Sequence, residues 1–184
     1  MPVLIVSKTR MHAKRVCVGG FDLRTRRNVR LLTAQGSNQP ESTDFEVGDV
    51  WDVEYIPKRK TIPPHLEDVN VQGGRQIGVQ GALSEFLRQN VPIVGGGLSH
   101  TFDGLLRFTG SGSGYIARSV GIPEGSVGFW EPDVVLNRDD FNEKVRYRFW
   151  EGLSERHISF VGLQTAPDHI EPGTLLRLSL EVVS

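Results

Sequence analysis

Two segments of this 184-residue chain carry the same turn-and-strand pattern, and that repetition limits the fold more than any other feature. The first is FEVGDVWDVEY, Phe45 to Tyr55; the second is HIEPGTLLRLSLEV, His169 to Val182. Aligned on Gly48 and Gly173, each reads as an apolar residue, Glu, one residue, Gly, and a polar residue that opens a long strand. Glycine in that place supplies a tight turn that a side chain resists. Upstream, RVCVGG and HISFVGL form a second matching pair, each a strand ending in Gly. Two matches in the same order point to an internal duplication. The spacing from the first pair to the second is unequal, so the halves are not simple copies.

The pattern between these segments is that of a β protein. Short apolar, β-branched runs predict strands at Val3 to Ser7, Arg15 to Phe21 and Val29 to Thr33. Val50 to Ile56 alternates, with Trp51, Val53 and Tyr55 on one face. Further strands are expected at Leu105 to Thr109, Val127 to Trp130, Lys144 to Trp150, His157 to Leu163 and Thr174 to Val183. Residues 57 to 83, rich in Pro and Gly, read as a connector. One helix is expected at Leu83 to Gln89, capped by Ser84, with Leu83, Phe86 and Leu87 on its apolar side. The resulting division is a first half over 1–70, a connector with a short helix over 71–100, and a second half over 101–184. Twenty-one glycines and ten prolines favour strands and turns over long helices.

The formal net charge is −1, yet residues 1–40 hold eight basic side chains and one acid, Asp22. The basic residues are Lys8, Arg10, Lys14, Arg15, Arg24, Arg26, Arg27 and Arg30. They fall in two turns and on the adjoining predicted strands. Cations beside a β face with aromatic rings suit single-stranded nucleic acid, because cations track phosphates and rings stack on bases. Phe21, Trp51 and Tyr55 are the candidate rings. Trp51 and Tyr55 equally fit a core, since they share the apolar strand face.

Several function classes find little support. Cys17 is the only cysteine, so no internal disulfide forms and a reducing cytoplasm is the expected compartment. No apolar stretch approaches the roughly 20 residues that span a bilayer, and MPVLIVSKTR does not read as a signal peptide. Gly112, Gly114 and Ala117 match a dinucleotide-binding spacing, but Gly121 and Pro123 stop the helix that such a site needs. The five histidines are scattered and show no metal-ligand spacing. Ser99, His100 and Asp103 are close in sequence, which is not how triads are built. Neither cofactor, metal nor catalytic residue is expected.

The segments VSKTRM, RVCVGG, VRLL, GDVWDVEY, PPHLEDV, GYIA, GFWEPD, ISFVG and GTLLRLSL, in this order, resemble the prokaryotic dual OB-containing domain family over nearly the whole chain. The resemblance implies two OB-like β-barrels packed as one unit, with one or two short helices. It also implies a nucleic-acid link and a setting in prokaryotic defence or mobile-element loci. OB folds bind oligonucleotides on the face of strands 2 and 3 and the flanking loops. The expected interface is therefore Lys8, Arg10, Lys14, Arg15, Arg24, Arg26, Arg27 and Arg30 with the ring of Phe21. Single-stranded DNA or RNA is the expected ligand, with a larger partner protein as a second expectation. Two alternatives stay open. One is a protein-interaction adaptor, favoured if Gly128-Phe129-Trp130 is exposed. The other is an enzyme or small-ligand sensor with a site between the halves, using Lys8, Arg10, His65, Glu67 or Asp68. The second half is expected to brace the first or bind a partner.

Overall fold

The computed structural model describes residues 1–181, and the chain forms two compact units, Met1–Val91 and Pro92–Ser184. The first contains strands β1 (Pro2–Met11), β2 (Arg15–Asp22), β3 (Arg27–Leu32), β4 (Gln39–Pro40), β5 (Asp49–Pro57) and β6 (Asp68–Val79), followed by helix α1 (Leu83–Asn90). The sheet order is β1-β5-β6-β3-β2, and β1 also pairs with β2, so the five long strands close into a barrel. Only β3 and β6 run parallel; the other pairs are antiparallel. This is the Greek-key order of an OB barrel.

Alternation along these strands builds the interior. Val3, Ile5, Val16, Val18, Leu31 and Val53 are buried inside the barrel. Gly20 shares that inward side, where a Cβ would stand 2.5 Å from Val3 Cγ1 and 3.2 Å from Val29 Cγ2. Only glycine lets the strands approach so closely there. Asp22, fully buried at the end of β2, accepts hydrogen bonds from the Tyr55 hydroxyl and from the amides of Arg24 (2.8 Å) and Thr25 (2.9 Å). Burial pushes the Asp22 carboxyl up, but these bonds outweigh it and hold its pKa below the usual value. Burial and the same carboxylate push the Tyr55 phenol up to about 12.

The second unit contains β7 (Val94–Gly95), β8 (Arg107–Phe108), β9 (Gly114–Tyr115), β10 (Val127–Glu131), β11 (Leu136–Phe141), β12 (Lys144–Glu151), β13 (Ser154–Ser159), β14 (His169–Ile170) and β15 (Leu176–Ser179). Its sheets are β15-β10-β7, β13-β12-β11-β14 and the hairpin β8-β9. Trp130, Leu136, Tyr147 and Phe149 form the centre of its core with Leu98, Leu106 and Ile170. The polar tips of the two large rings are satisfied: Trp130 Nε1 donates to Gly96 O at 2.7 Å, and Tyr147 Oη donates to Pro167 O at 2.7 Å.

The repeated turn is real. Asp49 N donates to Glu46 O and Thr174 N donates to Glu171 O. Gly48 (φ 97°) and Gly173 (φ 77°) both occupy the positive-φ position of that turn, which favours glycine. Each glycine amide donates to a carbonyl of its own unit, Gly48 to Ile5 O of β1 and Gly173 to Pro132 O directly after β10, at 2.9 and 2.8 Å. Phe45 and Ile170, three residues before each glycine, are both buried.

Several expectations need correction. The segment read as a connector over 57–83 contains β6, which pairs with β5 through two register shifts. Its glycines and exposed polar side chains hide the ladder, because backbone pairing rather than burial defines most of it. Ser84 lies inside α1; the cap position is Ala82, with no side-chain cap bond. β11 was missed because its outward face is charged and only Leu136 is buried. β8 spans Arg107–Phe108 instead of Leu105 to Thr109, and β13 starts earlier than His157, at Ser154. The last strand is Leu176–Ser179; Val182 and Val183 of the expected strand lie outside the described residues. Among the described residues, no helix is long and apolar enough to cross a membrane.

Candidate nucleic-acid interface

On the outside of the first barrel, β3, with the first residue of β2 and the first residue of β6, lines an open groove of about 440 Å³. Met11 and His12 bound it at the β1–β2 turn, Gly36, Ser37 and Asn38 at the loop after β3, and Lys58 at the β5–β6 connection. Arg15, Arg30 and Asp68 project into it. Strand register explains the grouping. Met11 pairs with Arg15, and Arg30 pairs with Gly19 on one side and Asp68 on the other, so these side chains share the outward face. Leu31, the neighbour of Arg30, points inward and is fully buried.

One carboxylate organises the basic wall. Asp68, 4 % exposed, contacts Arg30 Nε at 2.5 Å and Lys58 Nζ at 3.3 Å. Burial lowers the Arg30 pKa, but the bond to Asp68 outweighs it and holds the guanidinium above its ordinary value. Arg15 Nη1 donates to Asn38 O at 3.0 Å. Three cations, against Asp68 and the nearby Glu67 that also acts on Arg30, leave a positive surplus in the groove. Exposed Arg59 and Lys60 extend it along the β5–β6 connection.

The expected site residues separate into three groups. Arg15 and Arg30 lie in the groove, with Arg10 and Lys14 exposed at the end of β1 and in the β1–β2 turn. Arg24, Arg26 and Arg27 lie at the β2–β3 turn, the opposite end of β2, where Arg26 Nη2 donates to Asn90 O of α1 at 3.4 Å. Lys8 is buried: its ammonium contacts Glu46 at 2.6 Å and donates to Thr43 O at 3.2 Å, which ties down the segment before Gly48. Phe21 is 2 % exposed and meets Phe86 of α1 edge-on at 6.4 Å, so its ring has no free face for a base. Trp51 packs edge-on against Phe45 at 4.8 Å. Sequence reasoning missed His12, Ser37, Asn38 and Lys58 in this site. The run Lys58-Arg59-Lys60 was a readable signal, masked by the Pro-rich segment that follows it.

The dual OB-containing domain family model matches residues 1–180. This chain belongs to the dual OB-containing domain family. Comparison with curated proteins and with solved structures finds no match. The closed barrel of the first unit fits this dual OB membership, and the groove lies beside Arg15 of strand 2 and Arg30 and Leu32 of strand 3.

Other constellations do not assemble in this dual OB chain. Ser99 donates to Glu151 at 2.7 Å, His100 is exposed, and Asp103 accepts from the Glu124 amide at 2.8 Å, so the three do not converge. Gly112 and Gly114 belong to the β8–β9 hairpin, and among the described residues no helix follows. Phe129 and Trp130 are buried, 3 % and 0 % exposed, which removes the feature that favoured an adaptor. His65 and Glu67 stand beside Asp68 in sequence, with His65 Nδ1 3.9 Å from Glu67 Oε1; burial pushes the His65 pKa below its ordinary value. Among the described residues, no group of three or more His, Cys, Asp or Glu is placed to hold a metal ion.

Proposed function

We propose that the first unit is a non-catalytic module that binds single-stranded DNA or RNA along the β2–β3 groove. The observation that carries this reading is the coincidence of Arg15, Arg30 and Lys58 in one open groove on the ligand face of a closed OB barrel. Arg15 and Lys58 flank it as phosphate contacts. Arg30, fixed by Asp68, presents a guanidinium held in one orientation, which suits a phosphate or a base edge. A duplex needs a broad docking surface, whereas an open groove beside short loops admits a single strand.

The test is fluorescence anisotropy of the full chain with labelled single-stranded DNA, single-stranded RNA and duplex DNA. The reading predicts single-strand binding that Arg15→Glu with Lys58→Glu weakens about tenfold or more. Arg24→Glu with Arg27→Glu, at the far end of β2, should change it less than about threefold. Equal losses from the two pairs would place the contact elsewhere, and tighter binding to duplex would reject a single-strand module.

A further inference from the structure

The first unit buries the ring that sequence reasoning chose for base stacking; the second unit leaves the corresponding ring open. The correspondence follows from register. In the first unit, the residue before the glycine's acceptor on β1 pairs with the residue two beyond the glycine, Leu4 with Val50. In the second, Trp130 pairs with Leu176, one step further along the same antiparallel ladder. β10 and β15 therefore correspond to the start of β1 and to β5, and β11, which pairs with β12, takes the place of the rest of β1. From there the chain runs through two hairpins in each unit: β1-β2-β3, and β11-β12-β13. Arg15 opens β2 opposite Met11, and Lys144 opens β12 opposite Phe141. Inward Val16 and Val18 then match Val145 and Tyr147, and the strands close on the acids Asp22 and Glu151. On this alignment Phe21 corresponds to Trp150, and Arg30, which pairs with Gly19, corresponds to His157, which pairs with Arg148.

We infer that the outward face of β11, β12 and β13 is a second single-strand site, one that holds bases by stacking. Trp150 is 61 % exposed and Phe141 52 % exposed. Arg146 lies over the Phe141 ring at 4.3 Å, and Arg148 stands beside His157 on the same face. Arg146 pairs with Asp139, and Arg148 contacts Glu155 at 3.2 Å, so the cations are balanced by acids. Such a face draws on rings and guanidinium planes more than on net charge. His157 is fixed by Ser113, whose Oγ lies 2.7 Å from Nε2. The helix that covers Phe21 has no counterpart over Trp150 among the described residues.

This inference rests on the single-strand reading, and the test separates the two. The full chain is titrated with a dT oligonucleotide while tryptophan emission is followed. Trp130 is fully buried and Trp51 packs on Phe45, so stacking on Trp150 dominates the quenching. With the groove disabled by Arg15→Glu and Lys58→Glu, residual binding should remain, quench emission and vary little with salt. Adding Trp150→Ala should weaken it about tenfold, and Trp150→Phe should restore it to within about threefold. If the groove variant loses all binding and Trp150→Ala leaves the wild-type affinity unchanged, the second face is rejected while the groove reading stands. If the wild-type chain binds no oligonucleotide, both fall.

Discussion

The two units share a turn, a ladder register and a hairpin order, yet they solve one inward position in opposite ways. Gly20 in β2 leaves room for Val3 and Val29, which crowd its position, whereas the corresponding Phe149 fills the second core beside Trp130, ring centroids 5.4 Å apart. On the outward side the contrast reverses. The first unit covers Phe21 with α1 and keeps a basic groove; the second leaves Trp150 open and neutralises its arginines. Two units with the same turn and hairpin order can thus exchange filling for closure inside, and charge for aromatic surface outside.

That contrast is most directly broken in the cores. Phe149→Ala should destabilise the chain by about 3–5 kcal/mol, since it removes a buried ring that the second core is built around. Gly20→Val should destabilise it by about 1–3 kcal/mol through overpacking against Val3 and Val29. Chemical denaturation measures both. A harmless Gly20→Val would show that barrel closure does not depend on the close approach.

The turns should behave alike where the cores differ. Gly48→Ala and Gly173→Ala each place a side chain at positive φ, and each should destabilise by about 1–2 kcal/mol. A loss at one glycine only would undo the equivalence of the two turns.

The smallest expected effect is on pH dependence. Burial is the main cause that pushes the pKa of His65 in the first unit and of His157 in the second below the ordinary 6.5. The unfolded chain then binds more protons than the folded one below that value. Stability is therefore full above about pH 6.5 and falls as pH drops through it, levelling off once the folded histidines are protonated too. Denaturation midpoints between pH 7.5 and 5 would show this, and Asn at both positions should flatten the curve.

Much of the fold was legible because it rests on local chemistry. The Glu-x-Gly turns, the alternation of Trp51, Val53 and Tyr55, and the basic run at the start each declare themselves in a few residues. The second matched pair was misleading: RVCVGG lies on β2, but HISFVGL straddles the end of β13, and the true counterpart of β2 is KVRYRFWE. Apolar likeness favoured the wrong strand, because β12 carries arginines where β2 carries Cys17 and Gly19. The groove was half legible. Arg15 and Arg30 were read from charge, but long-range pairing decides that Asp68 and Lys58 join them and that Lys8 and Phe21 do not.

If charge in the β2–β3 groove drives single-strand binding, as proposed, affinity for a labelled single strand depends on salt, and the comparison to make is between the wild-type chain and the Arg15→Glu, Lys58→Glu variant. With three to four cations at phosphates, log affinity should fall with log salt at a slope of about −2 to −3, and the variant should bring it to about −1 or shallower. A wild-type slope near zero, or a slope that the variant leaves unchanged, would contradict it.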